Sequence, residues 1–382
     1  MTRRQNIYWV DVNRFDIKPD KSTWLEMGET LNRHGFIVRI VTSFAEAPYV
    51  PKSHDVEFSH LKPSRIPGLF RLTFLIRATF FLVRHRDRNA IYILSPAALF
   101  IIPALKAFGL HNIHLDVRSP PVGVRGWKKR LDSIIFWHLA LKIFTPLAKS
   151  YSFITFNVRQ EVERVSNRQL SDSCIWSSGV RCNIFSVSQV DLRESLEYDF
   201  FYHGTITVDR GIFTMVKAAS SLATHIRKHV LLTIVGAGPD TPKLVQLIDS
   251  EGWGDFVNYL GFVPYEEIPM HLKKADCCIC PLPDRKEWQM SSPLKIFEYM
   301  AAAKPIIATP IAAHSNVLDG CPFVMWTNGF DERAIAGAMV QAYENRVTLA
   351  HAAAGAPKIV RANYDWELIG RSFAEHLNSC YE

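Results

Sequence analysis

An α/β chain built from two Rossmann-like, doubly wound parallel sheets is the fold this sequence predicts. Three observations carry that expectation. Short apolar runs alternate with helix-patterned segments through the first half, and the same alternation restarts near residue 198. The length of 382 residues suits two domains rather than one. A hydrophobic fraction of 48% with 12% aromatics can fill two cores and excludes a disordered chain.

In the first half, Ile7–Asp11 reads as a strand and Ser22 to Arg33 as a helix closed by His34-Gly35. Ile37–Thr42 and Ile91–Leu94 are the next strands, and Ser95-Pro96 opens an apolar helix running to Phe108. Ile113–Val117 and Phe153–Phe156 complete the expected sheet. In the second half the strands are Tyr198–His203, Val230–Val235, Val257–Tyr259, Cys277–Cys280, Pro305–Ala308 and Phe323–Met325. A linker is expected near 182–198, giving domains over 1–181 and 182–365 that face a cleft. The amphipathic helix from Trp366 to Leu377, within a tail over 366–382, is expected to cross back to the first domain.

A net charge of +7 admits phosphorylated substrates, anionic membranes or nucleic acid as partners. Seven scattered cysteines form no paired framework and fit a reducing compartment. Cys277-Cys278-Ile279-Cys280 reads as a buried strand in which Cys acts as a small apolar residue, and no ligand-spaced cluster completes a metal site. Met1 to Gln5 carries no signal-peptide pattern, and no apolar run is long enough to span a bilayer. The expected location is the cytoplasm or the cytoplasmic face of a membrane. Val235-Gly236-Ala237-Gly238-Pro239 starts like a dinucleotide fingerprint, but Thr241 stands where the third glycine belongs, so it reads as a turn after a strand.

The most informative stretch is Ser292–Met300. Ser292 suits an N-cap and Pro293 the first helical position. The first-turn amides then point unpaired at the positive end of the helix dipole, where a phosphate fits. Lys295 in that turn is a cation that an anion would stabilise, and Glu298, on a face with Leu294, Phe297 and Ala301, needs a partner such as a ribose diol. The plainer reading is a capped helix carrying a Lys295–Glu298 surface pair.

The surrounding motifs decide between these readings. Tyr202-His203-Gly204-Thr205, Asp209-Arg210-Gly211, Val235 to Pro239, Tyr259-Leu260-Gly261, Ala275-Asp276 with Pro281, Ser292–Met300 and Lys304-Pro305 occur in an order that resembles family 4 retaining glycosyltransferases of the GT-B fold, over roughly 174 to 310. The resemblance implies transfer of a sugar from a UDP- or GDP-linked diphospho donor, with no metal or other cofactor, to a glycan or lipid-linked acceptor in surface polysaccharide or glycolipid assembly. It implies that Glu298 binds the ribose, that the amides of Leu294 and Lys295 beside Ser292 hold the diphosphate, that Arg210 contacts the same phosphates, and that Gly204 and Gly261 line the donor pocket. The chain departs from the pattern at Met290, where the family has a Glu that meets the sugar, and at Thr205 and Arg181. The readings open at Met290 are that another residue such as Glu287 serves the sugar, that the donor needs no such contact, or that the enzyme is weakened. These departures keep two other readings open: a non-catalytic binding subunit, and an epimerase or phosphorylase on the same fold.

On the acceptor side, Asp116 ends a strand at the edge where such sheets bind ligands, followed by Arg118. Asp116 is a candidate to orient the acceptor hydroxyl or the leaving phosphate, although a local Asp116–Arg118 structural pair is the favoured reading, and Asn13 and Arg14 after the first strand are similar candidates for acceptor contact. Residues 62–88 mix Lys62, Arg65, Arg71, Arg77, Arg84, Arg86 and Arg88 with Phe70, Phe74, Ile76 and Phe80, and 125–149 repeats the mix. On a helix, Arg77, Arg84 and Arg88 would share one side, which suits an anionic membrane surface, with a buried helix carrying a basic edge as the alternative. No nucleic-acid module is present, so nucleic acid is not an expected partner.

Overall fold

The computed structural model describes residues 4–15, 21–43, 55–64, 66, 69–121, 126–185, 197–222 and 224–381. Arg65 and most of the expected linker lie outside these residues. The chain divides into one compact unit of residues 1–178 with 366–382 and a second of residues 179–365.

The first unit holds seven parallel strands: β1 (Gln5–Arg14), β2 (Phe36–Ser43), β3 (Glu57–His60), β4 (Ile91–Leu94), β5 (Ile113–Val117), β6 (Ser150–Phe153) and β7 (Ser173–Ile175), in the order β3-β2-β1-β4-β5-β6-β7. The strand order reverses direction between β1 and β4, as in a doubly wound sheet. The Ile7–Val12 stretch of β1 and all of β4 are buried, as in a parallel sheet covered by helices on both faces. β3 gave no sequence signal: it is a four-residue edge strand with no fully buried residue.

Three sequence expectations change here. The strand expected at Phe153–Phe156 is Ser150–Phe153, because Thr155 leaves the sheet to cap the next helix, its Oγ1 accepting from the Val158 amide at 3.3 Å. The continuous helix expected from Pro96 to Phe108 is a 3₁₀ segment, Pro96–Ile101, followed by an α segment, Ile102–Ala107. Pro103 has no N–H to continue the ladder through that point. The Phe70–His85 helix stops before Arg86, which adopts φ 40°, so Arg88 leaves the side shared by Arg77 and Arg84.

The small serines of β6 have a partner in β5. His114 Nδ1 lies 2.6 Å from Ser150 Oγ and its Nε2 2.7 Å from Ser152 Oγ, and Ser152 donates to Asp116 Oδ1 at 2.7 Å. Ser150 in turn donates to Tyr381 Oη at 2.9 Å, tying the C-terminal helix, Trp366–Tyr381, to the sheet. Burial, with a smaller push from His376, holds His114 well below the usual imidazole range.

That C-terminal helix packs on the Lys21–Arg33 helix, and Arg33 and His34 both bond Glu367. The helices approach closely at Gly370, where a Cβ would stand 2.2 Å from Thr30 Cγ2. Gly370→Ala is therefore expected to destabilise the protein by about 1–3 kcal/mol through overpacking; urea unfolding with an unchanged midpoint would refute this.

The second unit holds six parallel strands: β8 (Tyr198–His203), β9 (Val230–Val235), β10 (Val257–Gly261), β11 (Cys277–Cys280), β12 (Ile306–Ala308) and β13 (Val324–Trp326), in the order β10-β9-β8-β11-β12-β13. All six were legible as apolar runs. The order reverses between β8 and β11, and the carboxyl ends of these two neighbours define the place where such sheets bind ligands.

Candidate active site

Three loops are laced together along the carboxyl edge of the second sheet. The Gly204 amide donates to the Val235 carbonyl at 2.9 Å, and the Gly236 amide to the Gly261 carbonyl at 2.7 Å. Gly236, at φ 134°, passes so close to Gly204 that a Cβ would sit 2.0 Å from the Gly204 carbonyl oxygen. Gly211, at φ 76°, starts the Ile212–Ser220 helix, and a Cβ there would meet the Pro281 carbonyl oxygen at 1.9 Å. Only glycine satisfies both demands at these two points. The Gly236–Gly238 turn therefore packs the β8 and β9 loops together, consistent with an incomplete dinucleotide fingerprint.

The Leu294–Ala301 helix enters this edge beside β8 and β11. It begins one residue later than expected. Pro293 is the cap position, with extended ψ 101°, and no side chain caps the helix. Ser292 thus stands outside the helix rather than at its N-cap. The Ile296 amide bonds the Pro293 carbonyl at 3.1 Å, leaving the amides of Leu294 and Lys295 without an acceptor inside the helix.

Around that helix start, three buried polar side chains lack a hydrogen-bond partner among the described residues: Glu298 Oε2, His203 Nε2 and Lys295 Nζ. Glu298 is only 1% exposed and Lys295 8%. His203 Nε2 and Glu298 Oε2 lie 2.9 Å apart, within ion-pair distance, yet their angles do not make a hydrogen bond; we read the contact as electrostatic only. Lys295 Nζ sits 4.1 Å from the centre of the Tyr202 ring, and a Cβ on Gly204 would be 2.9 Å from it. The cation–π contact offsets part of its desolvation but supplies no hydrogen bond. A Lys295–Glu298 surface pair is not what the structure shows, because neither residue is at the surface.

Arg210 follows β8 and the Gly204 loop, its guanidinium carbon 4.9 Å from the centre of the Trp288 ring. Lys295 and Arg210 both act on Cys280 at the end of β11, pulling its thiol down, although burial dominates and pushes it up to about 11. Behind Lys295, His314 donates from Nδ1 to the Thr309 carbonyl at 2.7 Å, which leaves Nε2 to accept from Cys280 Sγ at 3.2 Å. Burial lowers His314 to about 4, despite its bond to Thr309, and Lys295 lowers it further.

The structure brings Gly204, Arg210, Gly261, Leu294, Lys295 and Glu298 to one sheet edge. His203 belongs with them and was not singled out from the sequence; its one signal was its place directly before Gly204. Met290, where a Glu was expected by resemblance, is buried. Glu287 is half-buried in a short helix, Lys286–Gln289, whose Trp288 faces Arg210.

The residues that the sequence offered as acceptor contacts lie in the first unit, at the carboxyl ends of β1 and β5. Asp116 is buried, and its Oδ1 accepts from Ser152 and, at 3.1 Å, from Trp176 Nε1. Arg118 donates to the Trp176 carbonyl at 2.7 Å and lies 3.3 Å over its ring. Both side chains are thus organised around Trp176. Asn13 is exposed and bonds Asp11 Oδ1, and Arg14 is half-buried. On the same unit, Leu72, Ile76 and Phe80 form an exposed stripe beside a second one of Trp127, Leu131 and Ile134. Arg71 joins the two helices through Asp132 and stacks on Phe136 at 4.7 Å. Among the described residues, no helix is long and apolar enough to cross a membrane.

The architecture is GT-B: two parallel-sheet α/β units of the kind seen in solved glycosyltransferases. Residues 197–345 match the family described as glycosyl transferases group 1. Among solved structures, sucrose-phosphate synthase from Thermosynechococcus elongatus is similar at TM-score 0.79 and 17% identity, over 98% of this chain and 99% of that one. HepE from Anabaena, solved with UDP-glucose, gives 0.74 and 16%, over 98% and 99%. WaaG, a glycosyltransferase involved in lipopolysaccharide biosynthesis, gives 0.72 and 14%, over 97% and 99%. No curated protein gives a significant sequence match. The family match thus falls on the second unit, and the solved structures share the GT-B fold over the whole chain.

The His314 environment makes a pH prediction. The folded state keeps this imidazole neutral while the unfolded chain protonates it near 6.5. Its contribution is whole above pH 6.5 and is lost as pH falls towards 4, about 3 kcal/mol in all. His314→Asn should flatten the stability profile between those pH values in urea titrations; an unchanged slope would contradict the assignment.

Proposed function

We propose that this protein is a retaining glycosyltransferase that moves a sugar from a UDP- or GDP-linked diphospho donor to a glycan or lipid-linked acceptor, in surface polysaccharide or glycolipid assembly. The observation that carries the reading is the cluster of Glu298, His203 and Lys295, buried and without hydrogen-bond partners beside an uncapped helix start. Buried polar groups without partners are costly, and a site of this kind is stable when a ligand completes it. A ribose diol fits Glu298 and His203, one donating and the other accepting. A diphosphate fits Lys295, Arg210 and the amides of Leu294 and Lys295. That HepE was solved with UDP and with UDP-glucose supports a nucleotide-sugar donor.

In this scheme the bond from the anomeric carbon to the diphosphate breaks as the acceptor oxygen bonds that carbon on the same face, and the acceptor's hydroxyl proton passes to the departing diphosphate oxygen. Charge develops on the departing diphosphate, where fixed cations and amides stabilise it. Lys295 and Arg210 supply the positive charge that a metal supplies in other transferases, so the scheme calls for none. Ser292, Gly204 and Gly261 shape the donor pocket. Asn13, Arg14, Asp116 and Arg118 are the acceptor-side residues, with Asp116 orienting the hydroxyl. The Leu72–Phe80 and Trp127–Ile134 stripes, flanked by Arg77, Arg84, Lys128 and Arg130, suit peripheral contact with an anionic leaflet on the cytoplasmic side.

Glu298→Ala should weaken UDP binding about 10- to 100-fold by calorimetry, since it removes charge-assisted bonds to the ribose, whereas Ser292→Ala should change it about twofold or less. Unchanged UDP and GDP affinity in Glu298→Ala would remove the ribose assignment. The protein should also float with phosphatidylglycerol vesicles at low salt, and Phe80→Asp should abolish flotation. Failure to float at every salt concentration would refute the membrane reading.

A further inference from the structure

The short Lys286–Gln289 helix occupies the stretch where the resemblance led us to expect a sugar-binding carboxylate, and its most buried side chain faces the other way, onto the loop that carries Arg210. Trp288 is 7% exposed. Its indole Nε1–H donates to the Asp209 carbonyl at 2.8 Å. The same ring lies 4.9 Å beneath the Arg210 guanidinium carbon. One side chain thus holds both the backbone and the charge of the Val208–Arg210 turn. The turn's far end is fixed independently, because Gly211 is pressed against the Pro281 carbonyl. Arg210 itself forms no ion pair among the described residues, so the stacked ring is the contact shown for its guanidinium.

We propose that Trp288 is a positioning residue for Arg210: it aims the guanidinium at the helix start where Lys295 and the free amides stand, and so builds the second half of a diphosphate clamp before any ligand arrives. This rests on the nucleotide-sugar reading above. A guanidinium stacked on a ring keeps its edge N–H groups open to phosphate oxygens, which is the geometry that bidentate recognition uses. Preorganisation of this kind lowers the ordering cost on binding.

The test is a double-mutant cycle read by calorimetry with UDP and with inorganic pyrophosphate. Arg210→Ala should weaken both ligands about 10-fold or more, the scale of a lost charged hydrogen bond. Trp288→Phe keeps a ring but loses the N–H, and should weaken both about 2- to 10-fold. Trp288→Leu loses both contacts and should approach the Arg210→Ala loss. In the Arg210→Ala background each Trp288 change should cost less than about twofold, because Trp288 acts through Arg210. Equal fold losses in both backgrounds would overturn the assignment, since Trp288 would then touch the ligand or serve the fold alone. Absence of binding by the unmutated protein would overturn the nucleotide-sugar reading and this assignment with it. Binding without coupling overturns this assignment only.

Discussion

The site depends on one contact: the start of the Leu294–Ala301 helix pressed against the end of β8. That contact puts Glu298 beside His203 and Lys295 over Tyr202, in a setting that is 1–9% exposed for the three polar residues. Their hydrogen-bonding capacity is not used within the fold, and such a cost persists only where something else repays it. The sheet edge around them is correspondingly rigid. Loops after β8, β9 and β10 are bonded to one another, and at Gly211 and Gly236 the backbones come so close that no side chain fits. The glycines therefore secure the platform on which the charged residues stand.

Among the described residues, buried polar atoms without a hydrogen-bond partner occur in both units, Ser43 and Ser95 Oγ among them in the first. In the first, a chain of bonds runs from Tyr381 through Ser150, His114 and Ser152 to Asp116 and Trp176. Every described link in that chain is made inside the protein, so its first effect is to lock the C-terminal helix and two strands together. Asp116 at its end is held in a fixed orientation by Ser152 and Trp176, which is what a group that orients a hydroxyl also requires.

Much of the second unit was legible because its strands are continuous apolar runs ended by Gly or Pro, and a buried parallel sheet leaves that signature. The helix within the Ser292–Met300 stretch was legible from local rules alone. What local rules missed was tertiary. Ser292 was read as a cap because of its residue type, but the chain turns into the helix one residue later, at Pro293. His203 was passed over because a His closing a strand looks like any core residue; only the packing of a helix 95 residues away gives it a partner. Arg88 was placed on a helix that ends before it, and β6 was drawn too late because buried serines carry no apolar signal.

The central claim is that a nucleotide diphosphate completes the cluster at Glu298, His203 and Lys295. Amide hydrogen exchange with and without UDP tests it most directly, because it reports position as well as binding. The account predicts protection at the amides of Leu294 and Lys295 and in the 204–211 segment. Protection confined to the first unit, or binding with no protection at these amides, would contradict it.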